Sequence, residues 1–399
     1  MIRVEKELPT ETLQLSFGPQ HPATHGTLQL VMELDGEKVV SVEPHIGFLH
    51  TGFEKLAEHM SYNQFVTVTD RMNYLSPLSN NIAFSLAAEK LFGIEIPKRG
   101  QYIRVLMAEL SRIADHLLAI GTAAMDLGAL TVFLYGFRER EKLYDLFEWA
   151  TGARLTTSYT RVGGLMADLP EDFPDAVLKW MRQFPKTIDE IEKLLNHNRI
   201  FQDRTYDVGV ISKEDVTKYS LTGPIARASG VKYDLRKDIP YSSYEEFEFE
   251  VPIGENGDAF DRYLVRMEEL RQSIKICEQV LKNLPGGDVN IDPDSKITLP
   301  GKDEVYTTIE GLIHHFEVTM ENRGILPPVG EVYLGTESPG GELGFFIVSN
   351  GGREPYRVRV RPPSFINYTI FKKLMTGAMF SDTVANLGSL NIIAGELDR

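Results

Sequence analysis

The sequence contains a single cysteine, Cys277, among 399 residues. One thiol cannot form an internal disulfide, and iron–sulfur or nickel–iron sites held by one chain need several thiolates. The composition therefore excludes a redox metal centre whose ligands all come from this chain. If electrons pass through the protein, we expect another subunit to carry the metal.

An excess of basic residues is also absent, since 42 lysines and arginines stand against 57 aspartates and glutamates, for a formal net charge of -15. A chain of this sign repels nucleic-acid phosphates and the anionic face of a bilayer, so we expect no nucleic-acid partner. The first ten residues, MIRVEKELPT, lack the apolar stretch of a secretory signal, which predicts a location on the cytoplasmic side.

Long apolar runs are scarce as well. Residues 117–137, LLAIGTAAMDLGALTVFLYGF, are numerous enough to span a membrane and contain one charge, Asp126. A central acid costs roughly 3 kcal/mol on insertion scales, and a lone segment with three glycines is more typical of a helix or helix pair inside a large protein. We favour this buried interpretation, in which Asp126 lies away from bulk water.

The first region of the chain, residues 1–52, predicts β structure. Apolar residues alternate with more polar ones from Leu28 to Leu34, and Asp35-Gly36 is a strong hairpin turn signal. Residues 18–26 form a loop that enters this hairpin.

The remaining residues predict a helical bundle at 53–300 and a C-terminal α+β region at 301–399. Apolar spacings of three and four indicate helices, including amphipathic ones at 171–198 and 258–284, and a polar excursion at 205–257 is expected at the surface. Short strands and then a helix are predicted near the end of the chain. The predicted fold class is α+β, predominantly α, in one compact unit.

Two histidines, His21 and His25, lie in the glycine- and proline-rich segment GPQHPATHG at 18–26. Pro19 and Pro22 make a helix implausible there, and no clear third or fourth metal ligand is present, so a zinc site is disfavoured. Two interpretations remain open. Both imidazoles are structural, or the loop holds one of them at a cavity, where it donates or relays a proton near neutral pH.

A second polar cluster, DRMNYLSPLSNN at residues 70–81, contains Tyr74 and Arg71. Tyr74 is either a core aromatic with a satisfied hydroxyl or a positioned phenol donor. Arg71 is either a salt-bridge partner of Asp70 or Glu54, or a fixed positive charge beside a redox centre.

The ordered blocks of this sequence resemble a known family. They are GPQHPATHG, HIGFLHTGFEKL, DRMNYLSP, ELSRIADHLLAIG with MDLGA, REREKLYDLFEWATGAR, RVGGLMADLP, LTGPIARASGVKYDLRK, GDAFDRYLVRMEELRQSIKI and GELDR. Together they resemble the hydrogenase-like, quinone-site D subunit of bacterial respiratory complex I, from about residue 12 to Arg399. The resemblance implies a subunit of a proton-translocating NADH:quinone oxidoreductase that is not active alone. An alternative is the same subunit in a complex fed by ferredoxin or a deazaflavin.

That family resembles the nickel–iron hydrogenase large subunit in fold, with the metal-binding cysteines gone. Here RMNYL at 71–75 and GSLNIIAGELDR near the end contain no cysteine. The resemblance implies a quinone-head pocket in place of the metal, with quinone as substrate and no metal held by this chain. A neighbouring subunit is expected to carry the last iron–sulfur cluster.

Carried over by motif, the resemblance implies that His25 and Tyr74 hydrogen-bond the quinone head, that Asp126 pairs with the histidine and that Arg71 lies near the partner's cluster. Quinone reduction adds two electrons and two protons, which suits a phenol and an imidazolium beside a carboxylate. Loss of these protons is hypothesised to move loops and start proton pumping elsewhere.

The resemblance also implies a set of partners. They are subunits B, C, I and H, of which the first carries the cluster, the next two belong to the peripheral arm with it, and the last belongs to the membrane arm. The assembly is expected on the cytoplasmic side of the plasma membrane.

Three positions depart from relatives: Thr51 where mitochondrial relatives have arginine, Thr156 where many have histidine, and Asn391 where aspartate is common. The first two remove charge or a titrating group near the partner's cluster, which suggests a lower cluster potential and a low-potential quinone such as menaquinone. A true hydrogenase is disfavoured by the lone cysteine, and a purely structural role would predict that His25 and Tyr74 tolerate substitution.

Overall fold

The computed structural model describes residues 12–24, 26–292, 297–320 and 324–399. Helices dominate these residues, with small antiparallel sheets beside them, so the predicted α+β class is confirmed. The strands are β1 Leu13–Phe17, β2 Gln29–Asp35, β3 Lys38–His45, β4 Thr160–Arg161, β5 Gly164–Leu165, β6 Gly330–Ser338, β7 Gly341–Ser349 and β8 Arg357–Arg361.

The helices differ greatly in length, and the three longest form the centre of the molecule. They are α1 Phe53–Ala57, α2 Tyr62–Thr69, α3 Pro77–Phe92, α4 Lys98–Asp126, α5 Leu130–Thr151, α6 Phe173–Met181, α7 Phe184–Leu195, α8 Arg199–Asp203, α9 Lys213–Lys218, α10 Pro224–Ala228, α11 Leu235–Asp238, α12 Ala259–Lys282, α13 Lys302–Thr307, α14 Ile309–Thr319, α15 Pro363–Tyr368, α16 Phe371–Met375, α17 Asp382–Leu390 and α18 Ala394–Asp398.

The predicted hairpin is β2 and β3, which pair with Asp35 opposite Lys38 across a two-residue turn. Gly36 has a positive φ of 62°, a conformation that glycine adopts without steric cost. The alternating residues Leu30 and Met32 are fully buried and pack on α16 and α17. Strand β1 adds a third strand that the sequence pattern did not predict.

Helix α4 lies in the middle of the bundle and packs against α3, α5, α12 and α17. Its apolar residues at spacings of three and four, from Leu106 to Ile120, are buried as predicted. Helix α12 begins after Asp258, whose side chain accepts the Asp261 N–H at 2.8 Å and caps the helix. The predicted helix at 171–198 is two helices, because Pro185 opens the first turn of α7.

The apolar segment 117–137 is a helix pair, formed by the end of α4 and the start of α5. Within the described ranges, no helix is long and apolar enough to cross a membrane. Burial is incomplete, since Leu130 and Leu134 are 54% and 56% exposed. Asp126, the last residue of α4, is half-buried.

The polar excursion at 205–257 does not lie at the surface as predicted. Three of its charged side chains, Arg227, Asp234 and Arg236, are at most 1% exposed. They enter the interior because ion pairs with carboxylates of other segments compensate the loss of water.

The C-terminal region begins with α13 and α14 and continues with the predicted strands β6, β7 and β8. This sheet packs its apolar face, including Leu343, Phe345 and Ile347, against α3. Short helices α15 to α18 then bring the end of the chain back to the turn between α2 and α3. Within the described part of the chain the three predicted regions adjoin one another, but the structure sets no boundary at 52 or 300, and that division stays a prediction.

Candidate quinone-head site

Tyr74 lies in the turn at residues 70–76, which joins α2 to α3. The buried amide of Asn80 donates hydrogen bonds to the carbonyl of Thr69 at 2.9 Å and to that of Asn73 at 3.0 Å. Both bonds replace water that the buried carbonyls have lost, so they hold the turn in one conformation. The backbone of Tyr74 is thereby fixed.

The phenol of Tyr74 is half-buried against α18. Burial raises the pKa of Tyr74 above its ordinary value of 10.0; a hydrogen bond with the Ala394 backbone lowers it, and the Asp115 carboxylate raises it. The phenol therefore keeps its proton at neutral pH and can donate it. Close approach depends on Gly395, because a Cβ there would lie 2.6 Å from the carbonyl oxygen of Arg71.

Asp115 of α4 is a fully buried carboxyl group beside this turn. Its Oδ2 accepts a hydrogen bond from the Asn73 amide at 3.2 Å, and its Oδ1 accepts one from the Asn391 amide at 3.1 Å. Two amide donors suit an ionised carboxylate, whose oxygens only accept. The sequence analysis did not identify Asp115, although an acid between the apolar residues Ile113 and Leu117 of one helix was an available signal.

Glu396 of α18 is a second fully buried carboxyl group, which the sequence analysis also missed. Its Oε2 accepts two hydrogen bonds from Ser364, one from the backbone N–H at 3.0 Å and one from the hydroxyl. Its Oε1 has no hydrogen-bond partner in the part of the chain that the structure describes. Burial raises the pKa of Glu396 to about 7; the Ser364 bonds lower it and the Asp115 carboxylate raises it.

Asp126 lies eleven residues beyond Asp115 on α4. Eleven residues make about three helical turns, so the two acids share one face of the helix about 16 Å apart. The structure therefore does not bring Asp126 into the cluster around Tyr74. The face of α4 runs from one predicted site residue to the neighbourhood of the other.

His25 lies outside the described residues, so its side chain is not placed. Its neighbours Thr24 and Thr27 line a small apolar cleft together with Ala394, whose backbone contacts Tyr74. The loop that carries His25 thus approaches the Tyr74 cluster. His21 is structural, because its Nδ1 accepts the Ala23 N–H at 3.1 Å.

Arg71 is exposed, and its guanidinium donates to the Thr67 carbonyl. The predicted ion pair with Glu54 is absent among the described residues, since Glu54 instead lies 3.7 Å from both Arg357 and Arg359. Asp70 acts on Arg71 at most through its charge, because its own carboxylate accepts hydrogen bonds from Asn81 and Ser158.

The loop at 46–51 is attached to the end of the chain by Asp398. The carboxylate of Asp398 accepts the N–H of Gly47 at 2.9 Å and that of Leu49 at 2.7 Å. Apolar side chains remain exposed on this loop, with Phe48 at 56%. Thr51 is also exposed, and its hydroxyl donates to the Leu49 carbonyl at 3.3 Å.

A buried ionic network continues from this site along α4. Glu109 accepts hydrogen bonds from Arg236 at 3.1 Å, Tyr244 at 2.7 Å, Ser273 at 2.6 Å and Arg112 at 3.3 Å, and all five residues are buried. The Arg112 and Arg236 guanidinium groups hold the pKa of Glu109 below its ordinary value despite burial, which raises it.

The same network includes a second carboxylate, Glu269, which accepts Arg227 at 2.9 Å and contacts the Nε2 of His116 at 2.7 Å. Burial lowers the pKa of His116, so its ring is neutral and the Nε2–H donates. Among the described residues, no three histidine, cysteine, aspartate or glutamate side chains form a group that could hold a metal ion. Cys277 is fully buried in α12.

Comparison with known proteins identifies the family. A family model described as the 49 kDa subunit of respiratory-chain NADH dehydrogenase matches residues 126–399. A protein of Geotalea uraniireducens, named as the D subunit of NADH-quinone oxidoreductase, is 52% identical over 390 residues, covering 98% of this chain and 99% of that protein. This chain belongs to the 49 kDa subunit family. The same name is given to relatives from Methylacidiphilum infernorum, 54% identical over 98% of this chain and 92% of theirs, and from Akkermansia muciniphila, 52% identical over 98% and 93%.

Membership of the 49 kDa family confirms the resemblance that the motif blocks indicated. It also confirms the predicted class of enzyme: the chain is a subunit of an oxidoreductase complex of the respiratory chain, and other subunits complete it. The roles of individual residues do not follow from family membership and are argued from the geometry below.

Proposed function

We propose that this member of the 49 kDa family binds and protonates the quinone head group in an NADH:quinone oxidoreductase. Relatives more than 50% identical over nearly the whole chain are named as the D subunit of NADH-quinone oxidoreductase, which supports NADH over ferredoxin or a deazaflavin as the source of electrons. The observation that carries the proposal is the position of Tyr74. Its phenol is protonated, fixed in a rigid turn and adjacent to the cleft under the His25 loop.

Tyr74 donates a proton to one quinone oxygen in this proposal. A phenol whose pKa is raised by burial stays neutral before reduction and becomes a competent donor when electrons make the quinone oxygen basic. The fixed turn keeps the hydroxyl oriented without a further loss of side-chain freedom on binding.

His25 and Asp126 are proposed to serve the second quinone oxygen. For His25 the support is indirect: residues on both sides of it line the cleft that includes Ala394. Asp126 is half-buried at the end of the α4 face that also carries Asp115, and a carboxylate beside an imidazole keeps that imidazole basic. Loss of both protons would change the charge around Asp126, and loop movement in response is the proposed origin of proton pumping.

Electrons are proposed to arrive from an iron–sulfur cluster in a neighbouring subunit. Support comes from the single cysteine, which is buried in α12 and cannot ligate a cluster alone. The exposed apolar loop at 46–51 and the exposed cation Arg71 lie on either side of Gly395 and Asp398, and offer a contact surface for that subunit. We assign this surface to the cluster-bearing member of the partner subunits B, C, I and H, with the others as further neighbours, at the cytoplasmic face of the plasma membrane.

The test is Tyr74→Phe in the assembled complex, which removes the hydroxyl and keeps the ring. We expect quinone reduction to fall at least tenfold, because one of the two proton donors is lost, while NADH oxidation by an artificial acceptor persists. The matched control is Tyr263→Phe, which removes a hydroxyl bonded to Asn196 at 2.8 Å on another face of the bundle. Equal quinone turnover in both variants would show that Tyr74 is only a packing residue.

A further inference from the structure

Two buried carboxyl groups lie beside Tyr74, and the proposed reaction uses neither. Asp115 and Glu396 are both 0% exposed, although they come from distant parts of the chain. The fold brings them close enough for each to act on the site: Asp115 raises the pKa of both the Tyr74 phenol and the Glu396 carboxyl. Placing two acids in one interior is costly unless they share a charge or a proton.

Hydrogen bonding assigns different protonation states to the two acids. Each oxygen of Asp115 accepts from one amide donor, Asn73 or Asn391, which stabilises the ionised form. In Glu396 both Ser364 bonds are made to Oε2, and Oε1 is left without a partner among the described residues. A proton on Oε1 removes the cost of a buried, unsatisfied carboxylate oxygen.

We propose that Asp115 and Glu396 form a carboxyl pair that stores one proton behind Tyr74 and returns it to the phenol after the phenol has protonated the quinone. This inference rests on the proposed function of Tyr74. Asp115 supplies the fixed negative charge of the pair, and Glu396 holds the transferable proton. Both are positioning residues, since they act through Tyr74 and not on the quinone.

The two proton transfers balance. First the Tyr74 O–H bond breaks and an O–H bond forms on the quinone oxygen, with the electrons supplied by the oxidoreductase reaction. Then the Glu396 O–H bond breaks and the phenol O–H re-forms, which leaves the Glu396 carboxylate to be reprotonated from solvent. Glu396 is two residues beyond Ala394, whose backbone contacts the phenol, so both groups belong to the same turn of α18.

Other charged and titratable groups also act on Asp115. From α4, α5, α12, α18 and the turn before α3 they are His116, Arg140, Tyr144, Arg266, Glu396 and Tyr74. The guanidinium groups of Arg140 and Arg266 are buried and have nitrogen atoms without hydrogen-bond partners in the described ranges. Their positive charge favours ionised Asp115, which in turn favours protonated Glu396.

The pH dependence follows from the sign of the shift. Because the pKa of Glu396 is raised from 4.5 to about 7, the carboxyl is loaded below pH 7 and empties as the pH rises through that value. Quinone turnover in the wild-type complex should therefore decline with a midpoint near pH 7. In Glu396→Gln the carboxyl cannot titrate, so this midpoint should disappear and turnover at pH 6 should fall severalfold.

Asp115→Asn provides an independent test in the opposite direction. Without the Asp115 charge, the pKa of Glu396 should move towards its ordinary value of 4.5, and the midpoint of quinone turnover should move to lower pH. The double variant Asp115→Asn with Asn391→Asp returns one carboxylate to the other side of the same 3.1 Å contact and should restore the midpoint. A structural role for Asp115 would not predict this rescue.

All variants are measured as assembled complex, with NADH oxidation by quinone and by an artificial acceptor compared from pH 5.5 to 8.5. Asp258→Asn is the control, because Asp258 is a buried helix cap that asparagine replaces well. Infrared difference spectra on quinone reduction should show loss of a protonated carboxyl band that Glu396→Gln lacks. If Glu396→Gln fails to assemble, the shift in Asp115→Asn and its rescue decide the question.

The inference is wrong if Glu396→Gln keeps the wild-type pH profile and infrared band, or if Asp115→Asn leaves the midpoint unchanged. Its failure is separable from failure of the proposed function. If Tyr74→Phe abolishes quinone turnover while these variants behave as wild type, only the proton store is refuted. If Tyr74→Phe has normal turnover, the quinone-head assignment itself falls.

Discussion

Removing the charge of Glu109 should destabilise the interior more than any surface ion pair. This carboxylate is 0% exposed and is the common acceptor of Arg112 and Arg236. In Glu109→Gln the side chain keeps its shape, but two buried guanidinium groups then face each other without an intervening negative charge. Breaking a buried ion pair on one side typically costs about 3–5 kcal/mol.

The assay is amide hydrogen exchange of the assembled complex, followed in peptides from α4, α11 and α12. A loss of 3–5 kcal/mol corresponds to opening that is about 10² to 10³·⁵ times more frequent, since each 1.4 kcal/mol is a factor of ten. The matched control is Glu141→Gln, which removes an exposed ion pair between Glu141 and Arg154 on α5 and its following loop. We expect no change in exchange in the control, because water screens that pair.

The same carboxylate sets a pH limit. Because the folded pKa of Glu109 is held below its ordinary value of 4.5, its stabilising contribution is complete above that pH and is lost as the pH falls through the lower folded value. Faster exchange in α4 below pH 4.5 should therefore appear in the wild type and be weaker in Glu109→Gln. Identical exchange in wild type and variant at pH 7 would refute the view that this network stabilises the fold.

Three further substitutions test the contacts around α18. Gly395→Ala should lower quinone turnover about tenfold or more, as measured in membranes, because its Cβ would lie 2.7 Å from the Met72 carbonyl oxygen and displace the helix. Asp398→Ala should expose the loop at 46–51 to limited proteolysis, because two backbone N–H groups lose their acceptor at about 1–3 kcal/mol in total; unchanged cleavage would contradict the contact. Asn391→Asp should raise the pH midpoint of quinone turnover, because two carboxylates at the 3.1 Å distance of the present contact with Asp115 cannot both ionise; a lower midpoint would refute this reasoning.

Local patterns in the sequence were sufficient for much of the fold. The turn at Asp35-Gly36 and the alternation before it predicted β2 and β3, because a two-residue turn and a one-sided apolar face depend on neighbouring residues alone. Asp258 and the apolar spacing after it likewise predicted α12. The ordered motif blocks identified the family, and the single cysteine excluded a metal centre held by this chain.

The tertiary structure alone decided which charges are buried. Arg227 and Arg236 belong to a stretch whose polar, glycine-punctuated sequence is typical of the surface, yet both are fully buried, because their partners Glu269 and Glu109 come from other helices. No local pattern contains that information, since a charge is stable inside a protein only when a distant segment supplies its counter-charge.

The candidate site shows the same division. Tyr74 was identified from its motif, but Asp115 and Glu396 were not, because their importance depends on contacts with Asn391 and Ser364 far away in sequence. The sequence by itself determined the helices, the hairpin and the family of this protein. The packing of α18 against the turn at 70–76 determined which acids lie beside the phenol, because only folding removes water from those carboxyl groups and lets one control the proton of the other.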